Sequence, residues 1–163
     1  IKDLEKVVDS ASRPMGDKML ATSVFFNLGN FYYKTHDFTK AVEHYTKAIE
    51  LSPSFVSAYQ NRGTVFLALG QPEQALNDFN QAIELNPNMP DLYYNRGTVF
   101  GQLNKIDSAL KDFNKAIQLD PSNPKYYANR AIVYQLFNQL DLAQQDHSTS
   151  QSLQRLKNSH ALP

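Results

Sequence analysis

Asn27, Asn61, Asn95 and Asn129 follow one another at intervals of 34 residues. A side-chain amide offers donor and acceptor together, so a row of amides can bond the main chain of an extended peptide without reading its side chains. A second set has the same interval: Arg62, Arg96 and Arg130, each followed sixteen residues later by Asp78, Asp112 and Asp146. Leu28 and His44 hold the two corresponding places at the start of the series, so the opposite charges appear and vanish together. That pattern reads as three structural ion pairs, because an unpaired half-buried charge would cost too much to be repeated three times.

Catalytic chemistry finds no comparable support. The four histidines (His36, His44, His147 and His160) have no Ser, Asp or Glu set, independent of the repeat, to act with. There is no cysteine, which removes disulfides, thiolate metal sites and thiol nucleophiles together and leaves the redox compartment open. No metal-ligand spacing or glycine-rich phosphate loop occurs, so neither a metal nor another cofactor is expected, and the protein reads as a non-enzyme. Sixteen basic residues balance sixteen acidic ones, so no net field draws a polyanion or a membrane surface, and nucleic acid is not the expected partner. No apolar run approaches the roughly 18 residues of a membrane span. The chain opens on Ile1-Lys2-Asp3-Leu4 without an initiator Met, and it reads as a fragment whose targeting signals lie elsewhere. With none to read, a cytoplasmic setting is only the default.

The elements that must position these residues emerge from the repeat. Pro53, Pro87 and Pro121 are spaced by 34, and Tyr59-Gln60-Asn61-Arg62-Gly63, Tyr93-Tyr94-Asn95-Arg96-Gly97 and Tyr127-Ala128-Asn129-Arg130-Ala131 are near copies, with Phe25-Phe26-Asn27-Leu28-Gly29 as a looser first version. Each unit carries two apolar patterns at helical spacing. Between them stand His36, Gly70, Asn104 and Asn138, residues that tolerate the left-handed backbone with which a helix ends and the chain reverses. Small residues recur where the two helices must approach: Gly29, Gly63, Gly97 and Ala131 on the first, Ala41, Ala75, Ala109 and Ala143 on the second. Hairpins of this size cannot bury their apolar stripes alone, so they stack into an all-α solenoid.

Period and residue order resemble the tetratricopeptide repeat over about residues 22 to 157. The resemblance implies a right-handed superhelix of four helix-turn-helix units, at about 22–55, 56–89, 90–123 and 124–157, within a solenoid of 14–157. The fourth unit departs in its second helix, where His147 replaces the aromatic, Ser150 replaces the alanine and no proline follows; that helix reads as a polar C-terminal cap. Residues 158–163 read as a tail. Ile1, Leu4, Val7, Val8 and Ala11 predict a separate N-terminal helix over 1–13, ended by Ser12-Arg13-Pro14. Its expected role is to cover the open edge of the first repeat; the alternative is that it folds into the groove as a ligand mimic.

In this family the first helix of each hairpin lines the concave face, which makes the asparagines an inner ladder. The alternative reading gives each Asn a bond to a neighbouring helix. Asn30, Thr64, Thr98 and Lys125 are further polar candidates for peptide contact, and Phe26, Tyr33 and Tyr94 are candidate apolar anchors. The family's two-carboxylate clamp for chaperone tails is not supported: Asn30 and Asn61 fit, but Phe26 and Asp91 stand where lysines are needed and Asn95 where a basic residue is preferred. The expected function is a scaffold or adaptor that holds a peptide segment of a partner protein. Two other readings are the substrate-recruiting region of a larger enzyme and a module that self-associates into a homo-oligomer.

Overall fold

The computed structural model describes residues 15–160. Eight helices account for the regular structure among the described residues: Met15–Lys34 (α1), Phe38–Leu51 (α2), Val56–Ala68 (α3), Pro72–Leu85 (α4), Pro90–Gln102 (α5), Ile106–Leu119 (α6), Pro124–Leu136 (α7) and Leu140–His160 (α8). They pair as four hairpins, α1/α2 to α7/α8, and each hairpin packs on the next. The fold is an all-α solenoid. The helix expected over residues 1–13 lies outside the described residues.

The turns follow from residue type. His36, Gly70, Asn104 and Asn138 take φ values of 60°, 69°, 56° and 56° at the four hairpin reversals. At the second, Gly70 N donates to Leu67 O and Gln71 N to Phe66 O, which uses the carbonyls that α3 would leave without partners. The second helix of each of the first three hairpins ends at Ser52, Asn86 or Asp120, the residue before the periodic proline. Pro72, Pro90 and Pro124 occupy first-turn positions, where a missing N–H costs nothing.

α1 starts at Met15, inside the 14–157 expected for the solenoid and about two turns before the first repeat motif begins near 22. One boundary differs from the sequence expectation. α8 continues through His160, so the expected tail is helical over its first residues. Arg155 stands at the periodic proline position, so that helix has no stop signal there.

The core lies within and between hairpins. Ala41, Ala75 and Ala109 are fully buried, as are Ala48, Ala82 and Ala116 two turns further along the same faces, and Ala143 is nearly so. At the junctions, Val65 packs on Tyr32, Ala41 and Tyr45; Val99 on Ala75 and Phe79; Val133 on Ala109 and Phe113. Gly29 allows the closest approach: a Cβ there would sit 2.5 Å from Tyr45 Cε1. The first helices of successive hairpins touch, α1 to α3, α3 to α5 and α5 to α7, whereas the second helices do not touch one another. The stack therefore curves with α1, α3, α5 and α7 on its inner side.

Candidate functional site

Asn61 lies on the inner side where the second hairpin meets the first. Its Nδ2 donates to Asn30 Oδ1 at 2.9 Å and, at 3.5 Å, to Tyr45 Oη. Tyr45 Oη itself donates to Asn30 Oδ1 at 2.7 Å. The Tyr45 ring is buried in the gap left by Gly29. Burial pushes the Tyr45 hydroxyl up to about 12, against a smaller opposing effect of the Asn61 bond, so it remains a neutral donor at ordinary pH. With Asn30 Oδ1 taking two donors, Asn30 Nδ2 and Asn61 Oδ1 have no partner among the described residues.

The same slot behaves differently along the stack. Asn129 Nδ2 donates to Tyr94 Oη at 3.0 Å and to Thr98 Oγ1 at 3.5 Å, across the junction of the third and fourth hairpins. Burial raises the Tyr94 hydroxyl above its ordinary value. Asn95 is half-buried and its side chain makes no hydrogen bond among the described residues, because Gln60 and Phe79 stand where the other junctions carry the hydroxyls of Tyr94 or Tyr45. Thr64 and Thr98 turn their hydroxyls back to the carbonyls of Gln60 and Tyr94. Asn27 is exposed, with no described hairpin before it. The asparagines thus fall into two kinds, Asn61 and Asn129 stitching neighbouring hairpins and Asn27 and Asn95 unengaged.

The apolar candidates divide as well. Phe26 packs on Phe55 with ring centroids 4.8 Å apart and on Tyr45 at 5.8 Å. Tyr94 packs on Tyr126 at 5.3 Å and Phe113 at 6.1 Å. Both are half-buried against these rings. Tyr33 is more open, beside Phe38 at 5.9 Å. Lys125 is exposed, and Asp91 accepts a 2.6 Å bond from Tyr126 Oη, which with burial drives that hydroxyl's pKa well up.

The arginines form a different layer. Arg62 donates through Nε and Nη2 to both oxygens of Asp78 at 2.8 and 2.7 Å, and the same fork joins Arg96 to Asp112 and Arg130 to Asp146. The remaining Nη1 crosses to the previous hairpin, reaching Thr46 Oγ1 at 2.9 Å, Asn80 Oδ1 at 2.7 Å and Asn114 Oδ1 in turn. Two rings flank each guanidinium at 5.7–5.8 Å: Tyr59 and Phe66, Tyr93 and Phe100, Tyr127 and Tyr134. The Asp112 and Asp146 bonds raise Arg96 and Arg130 still further above the usual guanidinium range. In the first hairpin His44 is buried between Phe25 and Tyr32, at 6.0 and 5.0 Å. The bridging oxygens were legible as a pattern that sequence reasoning missed: Thr46, Asn80 and Asn114 precede their arginines by sixteen residues, the mirror of the aspartate spacing.

Comparison with known families bears on this arrangement of stitched hairpins. The description "Tetratricopeptide repeat" matches residues 23–55 and 90–123, a second family of that description matches 44–77 and 113–145, and "TPR repeat" matches 63–104. The chain belongs to the tetratricopeptide-repeat family. The family places it among protein–protein interaction modules. It is 51% identical over 45 residues to Hsp70-Hsp90 organizing protein 3 of Arabidopsis thaliana, and 52% identical over 40 residues to stress-induced-phosphoprotein 1 of Caenorhabditis elegans. These matches cover 28% and 24% of this chain but only 8% and 12% of the relatives. Among solved structures, the Arabidopsis OM64 TPR domain is 31% identical with a TM-score of 0.71, covering 72% of this chain and 98% of that one. MamA, at 20% identity, shares the fold with a TM-score of 0.84 over 97% of this chain and 88% of its own. The first TPR of Spaghetti (RPAP3), bound to the HSP90 peptide SRMEEVD, is 26% identical with a TM-score of 0.71 over 73% and 94%.

Among the described residues no helix is long and apolar enough to cross a membrane, and no three His, Cys, Asp or Glu side chains gather as a metal site.

Proposed function

We propose that the inner face of α1, α3, α5 and α7 holds an extended or helical peptide segment of a partner protein, with side-chain amides gripping its main chain. The observation that carries this reading is the Asn30–Tyr45–Asn61 network, which leaves one amide donor and one amide acceptor side by side. A peptide unit presents the complementary pair, a C=O and an N–H. Asn27 and Asn95 add unengaged amides along the same face. The structural neighbour that holds SRMEEVD supports a peptide as the ligand class.

The groove is expected to prefer a segment without clustered carboxylates. Phe26 and Asp91 stand at the two places where an acidic tail would need cations, and Lys125 is one isolated ammonium. Peptides selected from a random display library on the whole chain, then titrated by fluorescence anisotropy, test the proposal. Their binding should weaken about fivefold or more in an Asn27→Ala/Asn95→Ala variant, at roughly 1 kcal/mol for a hydrogen bond lost. SRMEEVD should bind at least about tenfold more weakly than the selected peptides. Equal binding to the variant, or contacts mapped to α2, α4 and α6, would overturn the groove assignment.

A further inference from the structure

Gly29, Gly63 and Gly97 each make room for an aromatic ring of the paired helix, and Gly70 takes a positive φ at a reversal. Gly101 does neither. It lies in the last turn of α5 without a positive φ, and a Cβ there would meet nothing within 4 Å. The reversal that follows does not ask for glycine either. Asn104 N donates to Gly101 O just as His36, Gly70 and Asn138 N donate to the carbonyls of Tyr33, Leu67 and Gln135. A glycine inside a helix costs stability relative to any of those three residues, so packing and backbone geometry leave this one unexplained.

What the missing side chain leaves open is the inner face. Asn61 meets Asn30 across the first junction and Asn129 meets Thr98 across the third, both pairs 31 residues apart. The same register sets Gly101, one turn beyond Thr98, opposite Ile132. That slot is polar at Asn30, Thr64 and Thr98, yet Ile132 is apolar and 50% exposed. Leu67 holds Gly101's own place on the preceding first helix, and the Thr98 hydroxyl is turned back to Tyr94 O. We propose that Gly101 and Ile132 form a notch in the groove that admits one large apolar side chain of the bound segment, of the size that Tyr33 and Leu67 supply from the protein itself elsewhere. A charged or amide side chain would lose water there and gain no partner. This deepens the peptide reading and rests on it: the amides hold the main chain, and the notch selects a side chain.

Gly101→Leu, which copies Leu67, fills the notch with a better helix former, so the urea midpoint of the full chain should not fall. Peptides selected on the parent chain should bind this variant about tenfold or more weakly in fluorescence anisotropy. Alanine scanning of the peptide finds its anchoring apolar residue, and the alanine version of that residue should lose no more than about twofold on Gly101→Leu. Ile132→Thr, which copies Thr64 and Thr98, should weaken the parent peptides about threefold or more. A lowered urea midpoint in Gly101→Leu would overturn the proposal, since the space would not then be open. So would equal losses for the parent and alanine peptides, or unchanged binding to Gly101→Leu while Asn27→Ala/Asn95→Ala weakens it; the last result would leave the groove standing without its notch. Unchanged binding to both variants would overturn the groove reading itself.

Discussion

Asn61 and Asn95 occupy equivalent positions, yet their surroundings give them different work. Asn61→Ala removes a 2.9 Å bond to Asn30 across a junction and should lower stability by about 1 kcal/mol, while Asn95→Ala removes no internal bond and should stay within roughly 0.5 kcal/mol. Urea unfolding of the two variants checks this, and equal losses would remove the distinction between stitching and unengaged amides. Gly29 gives a second comparison. A methyl group there would meet the Tyr45 ring at 2.5 Å, against 3.0 Å to Phe79 at Gly63, so Gly29→Ala should cost more than Gly63→Ala, on the order of 2 kcal/mol against 1. The amide slot itself was legible, because identical residues at a fixed interval stand out in one sequence. Which amide bonds a neighbour was not, since that depends on Tyr45, Tyr94, Thr98 and Asn30, whose slots vary between repeats. Nor did the spacing reveal that Phe26 and Tyr94 pack against Phe55 and Tyr126.

A hairpin of this stack carries one of two side-chain arrangements between its helices. Three use an arginine forked onto aspartate and flanked by aromatic rings; the first uses Leu28 and His44 between Phe25 and Tyr32. Asp112 is nearly buried, so Arg96→Leu alone strands a carboxylate and should destabilise by about 3 kcal/mol. Adding Asp112→His rebuilds the first hairpin's combination and should recover at least half of that loss in thermal or urea unfolding. No recovery would mean that His44 depends on surroundings peculiar to the first hairpin. The elements themselves were legible from local signals: His36, Gly70, Asn104 and Asn138 at the reversals, and prolines after the second helices. The end of α8 at His160 was not legible, because no glycine or proline falls between Leu140 and His160 to mark a stop.

At the scale of the stack, stability is approximately a sum of hairpin and junction contributions, so different junctions can respond differently to one change of solvent. Tyr45 lies at the first junction, and Tyr94 and Tyr126 at the third, all with hydroxyl pKa values raised mainly by burial. The middle junction is built on Phe79, Leu92 and Val99 and carries no such hydroxyl. A tyrosine whose folded pKa lies above its unfolded value of about 10 stabilises fully below pH 10, because both states are then neutral, and loses that contribution as pH rises through its folded value. For Tyr45 the window runs from about 10 to about 12. The unfolded chain sheds its proton first, so alkali weakens the first and third junctions. Urea midpoints should fall steeply above pH 10, and amide exchange near pH 10 should rise earlier in α1, α2, α7 and α8 than in α4 and α5. Tyr45→Phe with Tyr126→Phe imports the residue already present at Phe79 and Phe113 for the first and removes a buried hydroxyl for the second. That variant should flatten the alkaline slope. If it keeps the slope of the parent chain, the two hydroxyls are not what couples junction strength to pH.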